Sequence, residues 1–190
     1  LERVEEPEPS LRLTLVQALA KGGRDEQAVE TATEVGVGLV LPWQSERCVS
    51  VWQGAKQAKG RQRWQATALQ AAKQARRARV PEVEEVRDTR RLADWVEQTV
   101  CSGGVVLVLH EEASTPISTA MESVCLPAPG EAPLVLAVVV GPEGGISSEE
   151  TEALEAAGAT TVRLGPHVMR TASAGPVALA VLAHASGLWE

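Results

Sequence analysis

The sequence predicts one α/β domain in which a mostly parallel sheet is covered by helices on both faces. Its 190 residues, 44% of them apolar, are enough for one domain with a substantial core. Two uninterrupted apolar runs, Val105–Leu109 and Leu134–Val140, are typical of strands that are buried on both faces. Strand-like runs alternate with helical segments along the chain, and this alternation favours parallel pairing.

In the first half, apolar runs and helix-ending residues define the elements. Gly36 ends a helix, and Pro81 cannot continue one. Apolar residues at helical spacing, among them Leu92 and Val96, mark a further helix. The predicted strands are Leu11–Ala20, Leu39–Trp43 and Pro81–Val86, and the predicted helices are Asp25–Val35, Ala58–Arg79 and Thr89–Val100.

The second half carries clearer signals. Ser147 can cap a helix, and Glu150 three residues later completes a capping box, while Gly158 ends that helix. The last segment is rich in Ala, Val and Leu, so we expect it to be buried in the core or in an interface. After the two apolar strands, the predicted elements are a helix over Ser147–Ala157, a strand over Thr160–Leu164 and a helix over Ala172–Leu188.

Composition excludes several classes of protein. The net charge of -7 argues against a general nucleic-acid coat protein. Cys48, Cys101 and Cys125 are odd in number and lack metal-ligand spacing, so neither a disulfide framework nor a metal site is indicated. Reduced cysteines are typical of a cytoplasmic protein. The longest apolar run is too short to cross a membrane, and no signal peptide is visible.

Basic residues are concentrated in one stretch. Between Arg47 and Pro81 there is no Asp or Glu, and this stretch holds nine of the 18 basic residues. Such a basic island on an acidic protein indicates either a local polyanion site or a solvated helix face. The RNA-binding candidates in and around it are Arg47, Arg63, Arg76, Arg77 and Arg79.

Chemistry is expected where the strands end, because open parallel sheets bind ligands beyond the carboxyl ends of their strands. Three strand ends carry glycine or polar residues: Leu109-His110-Glu111, Gly141 to Gly145, and Leu164 to Thr171. Neither GxGxxG nor GxxxxGK[ST] is present, and the glycine loop carries Glu143 rather than a lysine. A phosphate-free, positively charged ligand therefore fits better than a nucleotide phosphate, although on local grounds alone a tight turn before a capped helix is the better explanation of the glycines.

These motifs carry a family resemblance. Gly141-Pro142-Glu143-Gly144-Gly145, then Leu164-Gly165-Pro166, then Met169-Arg170-Thr171 are similar to the cofactor signature of RsmE-type ribosomal RNA methyltransferases. These enzymes belong to the SPOUT class. Motifs of the first half, such as Glu34-Val35-Gly36 and Arg63-Trp64, agree, and the match runs from about residue 16 to about residue 188.

The resemblance implies an S-adenosylmethionine-dependent enzyme that methylates N3 of a uridine in small-subunit (16S) ribosomal RNA, in the assembled subunit. It also implies a deep C-terminal trefoil knot and a homodimer. Residues 11–190 would be the methyltransferase domain, and residues 1–10 a linker from a missing PUA-like RNA-binding β-barrel. Arg170 would act on the base or an adjacent phosphate. The implied cofactor residues are Leu109, His110, Val140, Gly141, Pro142, Glu143, Gly144, Gly145, Leu164, Gly165, Pro166, Val168, Met169 and Thr171.

One departure concerns the last loop. Many relatives have a glutamate where this chain has Ala172, which argues against a mechanism that rests on a carboxylate there; we interpret the difference as variation within the family rather than loss of activity. No residue is a convincing general base, so we expect solvent to take the N3 proton. The alternatives are an RNA-binding module of the same fold without catalysis, an α/β enzyme whose loop binds a nucleotide, and methylation of another RNA nucleotide.

Overall fold

A computed structural model describes residues 9–121 and 132–189, whose regular elements form a seven-stranded sheet with flanking helices. The strands are β1 Leu11–Ala18, β2 Leu39–Gln44, β3 Glu82–Val83, β4 Arg87–Asp88, β5 Val105–Leu109, β6 Leu134–Val140 and β7 Thr160–Val162. The helices are α1 Arg24–Val35, α2 Ala55–Gln74, α3 Thr89–Cys101, α4 Ile117–Met121, α5 Ser148–Ala156 and α6 Thr171–Ala185. Most of the predicted linker over residues 1–10, together with Cys125, lies outside the described residues.

The sheet is parallel at every strand pairing in the described part of the chain. Its order is β3-β2-β1-β6-β5-β7, with β4 also beside β2. The predicted parallel sheet is therefore confirmed. Because the strands run in one direction, the ends of β5, β6 and β7 meet at one edge, where ligands bind in folds of this kind.

The core lies on both faces of the sheet, as the alternation of strand side chains requires. In β1, Leu13 and Leu15 pack on the face that α1, α2 and α6 cover, while Val16 and Ala18 pack on the face that α3 and α5 cover. The two-sided burial explains why the central strands are almost wholly apolar. No helix in the described ranges is long and apolar enough to cross a membrane.

Helix α2 differs most from the prediction, which extended it from Ala58 to Arg79. It begins at Ala55 and ends at Gln74, because Arg76 has the left-handed φ of 56°. The Arg77 guanidinium then donates hydrogen bonds of 2.8 Å to the Thr33 and Val37 carbonyls at the end of α1. The end of α2 is therefore marked by a contact from Arg77 to another helix and not by a glycine, and local sequence does not reveal such a contact.

Other boundaries shift less. Within the strand predicted over Pro81–Val86, the structure has the two-residue strand β3, while β4 begins after that range. Neither β4 nor the five-residue α4 was predicted. Helix α6 packs against the sheet through Gly175, where an added Cβ would lie 2.6 Å from Leu15 Cδ1 and 3.2 Å from Val140 Cγ2. This close approach brings the first turn of α6 to the end of β6 and so positions the site.

Candidate functional site

A cavity of about 950 Å³ opens at the carboxyl edge of the sheet, beyond β5, β6 and β7. All fourteen residues that the resemblance implies for cofactor binding line it, and so does Arg170. The cavity is in the size range of small-molecule sites, roughly 300–1,000 Å³. The structure thus brings the three predicted strand ends together, while the binding of a cofactor by these residues stays a prediction.

The glycine loop, residues 141–145, is a tight turn in its own right. The Gly145 amide donates to the Pro142 carbonyl over 2.9 Å, and Gly145 has a φ of 73°. An added Cβ at Gly141 would lie 2.6 Å from Ile146 Cγ1. The fold itself therefore requires glycine at both positions. The predicted capping box follows: Ser147 Oγ accepts from the Glu150 amide and Glu150 Oε2 accepts from the Ser147 amide, both over 3.3 Å.

Gly165 differs from these glycines. An added Cβ would meet no heavy atom of the described residues within 4 Å, and its φ lies outside the left-handed region. Neither packing nor backbone conformation demands glycine here. Since Gly165 lines the cavity, it presents bare backbone to the space where a ligand would lie.

Glu143 is an ionised carboxylate at the cavity. Its Oε1 accepts hydrogen bonds from Arg24 Nη1 over 3.0 Å and from the Lys21 amide over 3.3 Å. Partial burial acts to raise the pKa, but hydrogen bonds from the backbone amides of Glu143 and Lys21, with the Arg24 ion pair, outweigh it and hold the pKa of Glu143 below its ordinary value. Sequence reasoning missed Arg24; its position just after the end of β1 was the available signal.

Arg47 and Glu150 tie the glycine loop to the rest of the molecule. Arg47 Nη1 donates to the Gly144 carbonyl over 3.1 Å, and an added Cβ at Gly144 would lie 3.3 Å from Arg47 Cβ. Buried Glu150 accepts from the Glu46 amide over 2.8 Å and from Thr89 Oγ1 over 2.7 Å. These contacts hold the segment after β2 and the start of α3 against the helix that follows the loop.

Four arginines line the cavity: Arg24, Arg47, Arg163 and Arg170. The lining also includes the carboxylates of Glu111, Glu112, Glu143 and Glu152. Arginine guanidinium groups bind phosphates and base edges through paired donors. With four arginines and four glutamates in its lining, the cavity offers both hydrogen-bond donors and acceptors to what it binds.

The five predicted RNA-binding arginines do not converge on this cavity. In the described part of the chain, Arg47 is the one of the five that lines it. Arg63 forms an ion pair with Glu26 over 2.6 Å, and Arg77 holds the end of α1. Contact between this set and RNA stays a prediction, but at least three of its members already have structural partners, since Arg47 donates to the Gly144 carbonyl.

His110 has a defined hydrogen-bonding direction. Its Nδ1 accepts from the Glu112 amide over 3.2 Å, which leaves Nε2 as the nitrogen that can donate. Half-buried at the end of β5, this side chain lines the cavity. Over residues 9–121 and 132–189, no group of three or more His, Cys, Asp or Glu side chains is arranged to hold a metal ion.

Fold and site together define a parallel α/β protein with a cavity of small-molecule size, lined by glycine-bearing loops at the carboxyl edge of its sheet. The chain belongs to the RNA methyltransferase domain family, whose profile matches residues 6–183. It is 45% identical, over 94% of its length, to ribosomal RNA small subunit methyltransferase E of Mycobacterium bovis. The Bacillus subtilis protein of the same name is 30% identical over 97% of this chain and 70% of its own length.

A solved structure of the same kind is also similar. Ribosomal RNA small subunit methyltransferase E from Neisseria gonorrhoeae, bound to S-adenosylmethionine, superposes with a TM-score of 0.76 at 26% identity, covering 92% of this chain and 66% of that one. The chain spans 65% of the length of the Mycobacterium bovis relative. The predicted SPOUT-class sheet and helices are confirmed, and the trefoil knot stays a prediction.

Proposed function

We propose that this chain transfers a methyl group from S-adenosylmethionine to N3 of a uridine in small-subunit (16S) ribosomal RNA. The observation that carries the proposal is the bare backbone of Gly165, which faces a cavity made by three motif-bearing strand ends. The similar protein from Neisseria gonorrhoeae, which is bound to S-adenosylmethionine, supports this choice of ligand.

The residues present fit S-adenosylmethionine. Bare backbone at Gly165 leaves room for a flat or closely packed group, and its amide and carbonyl can form hydrogen bonds with it. Because Arg24 pairs with the Glu143 carboxylate, this charge does not by itself select the ligand, and the choice of S-adenosylmethionine rests on the motifs and on the similar protein from Neisseria gonorrhoeae. When bound, S-adenosylmethionine supplies an electrophilic methyl group. The glycine loop and the 164–169 segment would hold this ligand.

Arg170 is the proposed catalytic residue on the acceptor side. It immediately precedes α6, is exposed, and lines the cavity. N3 of uracil must lose its proton to accept the methyl group, and as the proton leaves, negative charge spreads from N3 onto the two exocyclic carbonyl oxygens. A guanidinium group beside those oxygens stabilises that charge and orients the base, and solvent accepts the proton.

RNA and a second copy of the chain are the proposed partners. The arginines of the cavity can contact phosphates on either side of the target nucleotide. Helix α6 buries Leu179 and Leu182 but exposes Val177 and Val181 at 38% and 39%. An apolar stripe of this kind fits a homodimer interface. Residues 11–190 form the proposed catalytic unit, acting on ribosomal subunits in the cytoplasm, while the β-barrel expected before residues 1–10 stays a prediction.

Calorimetry with two ligands tests the ligand class. We expect the chain to bind S-adenosylmethionine saturably and ATP not at all. Binding of ATP without S-adenosylmethionine would instead favour the nucleotide-binding enzyme. Binding of RNA without S-adenosylmethionine would favour a non-catalytic module.

A further inference from the structure

Two buried side chains outside the glycine loop hold its first carbonyl. Gln17 lies at the end of β1 and Thr171 begins α6, with exposures of 0% and 6%. Gln17 Nε2 contacts Thr171 Oγ1 over 2.8 Å, and Thr171 Oγ1 contacts the Gly141 carbonyl oxygen over 2.8 Å. The chain of contacts therefore runs from the central strand through α6 to the loop.

The direction of these hydrogen bonds is fixed. Gln17 Nε2 also lies 3.1 Å from the Ala18 carbonyl oxygen, which can only accept, so this atom of the side chain is the amide nitrogen. The nitrogen donates to the Thr171 hydroxyl as well. The single hydroxyl proton of Thr171 is consequently directed to the Gly141 carbonyl.

Stability alone does not explain a glutamine at position 17. Its Oε1 is buried and has no hydrogen-bond partner within residues 9–121 and 132–189. Leaving a buried acceptor unpaired is destabilising, and an apolar side chain of the same size would avoid that cost. The role of its amide nitrogen towards Thr171 explains why a polar side chain occupies this position.

The contacts reach both sides of the cavity. Gly141 and Thr171 line it, but Gln17 does not. Thr171 follows Arg170 directly, so the same hydrogen bonds fix the start of α6 and the backbone of the proposed catalytic arginine. The Thr171 hydroxyl donates its one proton to the Gly141 carbonyl and accepts from Gln17, which leaves it no proton to donate to a cofactor.

We propose that Gln17 and Thr171 are positioning residues, which hold the Gly141 carbonyl and so keep the glycine loop in the shape that binds the cofactor. The proposal rests on the proposed function, because the cofactor is S-adenosylmethionine. It gives Thr171 a role behind the loop in place of the direct contact that the resemblance implies, and it adds Gln17, which no motif contains.

The test compares Thr171→Val, Thr171→Ser and Gln17→Met with a matched control, Thr33→Val. Thr33 is also a buried threonine, and its hydroxyl donates to the Val29 carbonyl over 2.7 Å within α1. Hydrogen exchange of the Gly145 amide is followed without ligand, and the dissociation constant for S-adenosylmethionine is measured by calorimetry. The free energy of unfolding is recorded for every variant.

We expect Thr171→Val and Gln17→Met to speed Gly145 exchange and to weaken S-adenosylmethionine binding about tenfold, the worth of one hydrogen bond. A protein that carries both Thr171→Val and Gln17→Met should bind S-adenosylmethionine no more weakly than Thr171→Val alone, because both side chains act through one carbonyl. Thr171→Ser should recover most of the affinity, and Thr33→Val should match the wild type in exchange and affinity whatever its stability.

Two outcomes overturn the proposal. One is unchanged Gly145 exchange in folded Thr171→Val or Gln17→Met. The other is faster exchange with unchanged affinity in a protein that binds S-adenosylmethionine. If the wild type does not bind S-adenosylmethionine, the proposed function fails, and the exchange measurement still decides whether these residues hold the loop. If Thr171→Val does not fold, Gln17→Met carries the comparison by itself, with Thr171→Ser as the variant that keeps the hydroxyl.

Discussion

Replacing Gly165 by alanine tests whether glycine is required at this position for ligand binding or for folding. The added methyl group would meet no heavy atom of the described residues within 4 Å, and the backbone conformation accepts an L-residue. A compatible Gly→Ala change stabilises a protein by about 0.4–1 kcal/mol, because it restricts the unfolded chain. For a domain of this size, that corresponds to a rise in Tm of up to about 4 °C.

The ligand should respond in the opposite direction. If S-adenosylmethionine packs on the Gly165 backbone, the methyl group forces it outward, and forcing extra volume into a packed contact costs about 1–3 kcal/mol. The dissociation constant should then rise roughly 5- to 150-fold. Calorimetry gives the affinity and thermal unfolding gives the Tm. An unchanged affinity would refute the assignment of Gly165 to the ligand site.

Gly38→Ala provides the matched control. Gly38 precedes β2, at the edge of the sheet opposite the cavity, and an added Cβ would make ordinary contacts, 3.4 Å from Arg12 Cγ. Its φ also lies outside the left-handed region. We expect this variant to fold and to bind S-adenosylmethionine as the wild type does. A similar loss of affinity in both variants would mean that the effect is not local.

Four further predictions concern charged residues. Arg170→Ala should preserve the affinity for S-adenosylmethionine and lower kcat sharply; an equal loss of affinity in calorimetry would move Arg170 to the cofactor pocket. Arg77→Ala should lower the free energy of unfolding by about 2 kcal/mol, because carbonyls at the end of α1 lose a charged donor, while Arg76→Ala changes it little; equal effects in denaturant titrations would contradict this. Folding lowers the pKa of Glu143, so its ion pair stabilises the protein above pH 4.5 and is lost as the pH falls through the lower pKa of the folded state. The difference in unfolding free energy between wild type and Glu143→Gln should therefore shrink as the pH falls. A difference that does not depend on pH would exclude a contribution from the ion pair. Arg163→Gln should reduce the salt slope of RNA binding by about one, and an unchanged slope would mean that it contacts no phosphate.

The sheet was predictable because its signals are local. Val105–Leu109 and Leu134–Val140 are strands with the predicted bounds, since continuous β-branched runs suit a doubly covered sheet. The helix after the glycine loop was equally clear, because Ser147 and Glu150 form the capping box that their spacing predicts. These features depend on residues within a few positions of one another.

The features that sequence missed depend on distant contacts. The end of α2 is set by left-handed Arg76 and by the reach of Arg77 to α1, and neither leaves a glycine or proline signal. The hydrogen bonds of Gln17 to a residue 154 positions away likewise leave no pattern in the sequence. For the basic island, counting charges does not reveal which arginines already have partners, as Arg63 has in Glu26.

The site was predictable in its membership but not in the role of each residue. The fourteen residues that the motifs predicted for cofactor binding, together with Arg170, line one cavity. Only geometry separates Gly141 and Gly145, which the turn requires, from Gly165, which nothing in the described fold requires. A glycine in these motifs can therefore be required by the backbone, as at Gly141 and Gly145, or by a ligand, as we propose for Gly165.

The central claim, methyl transfer to a uridine of the small ribosomal subunit, is tested most directly by incubating the chain with S-adenosylmethionine that carries a labelled methyl group. The substrate is small ribosomal subunits from cells that lack the corresponding methylation. We predict label in 16S ribosomal RNA, located at N3 of one uridine by nuclease digestion and mass spectrometry, and lost with Arg170→Ala. Label on another nucleotide, or no transfer from a chain that binds both S-adenosylmethionine and the subunit, would contradict the account.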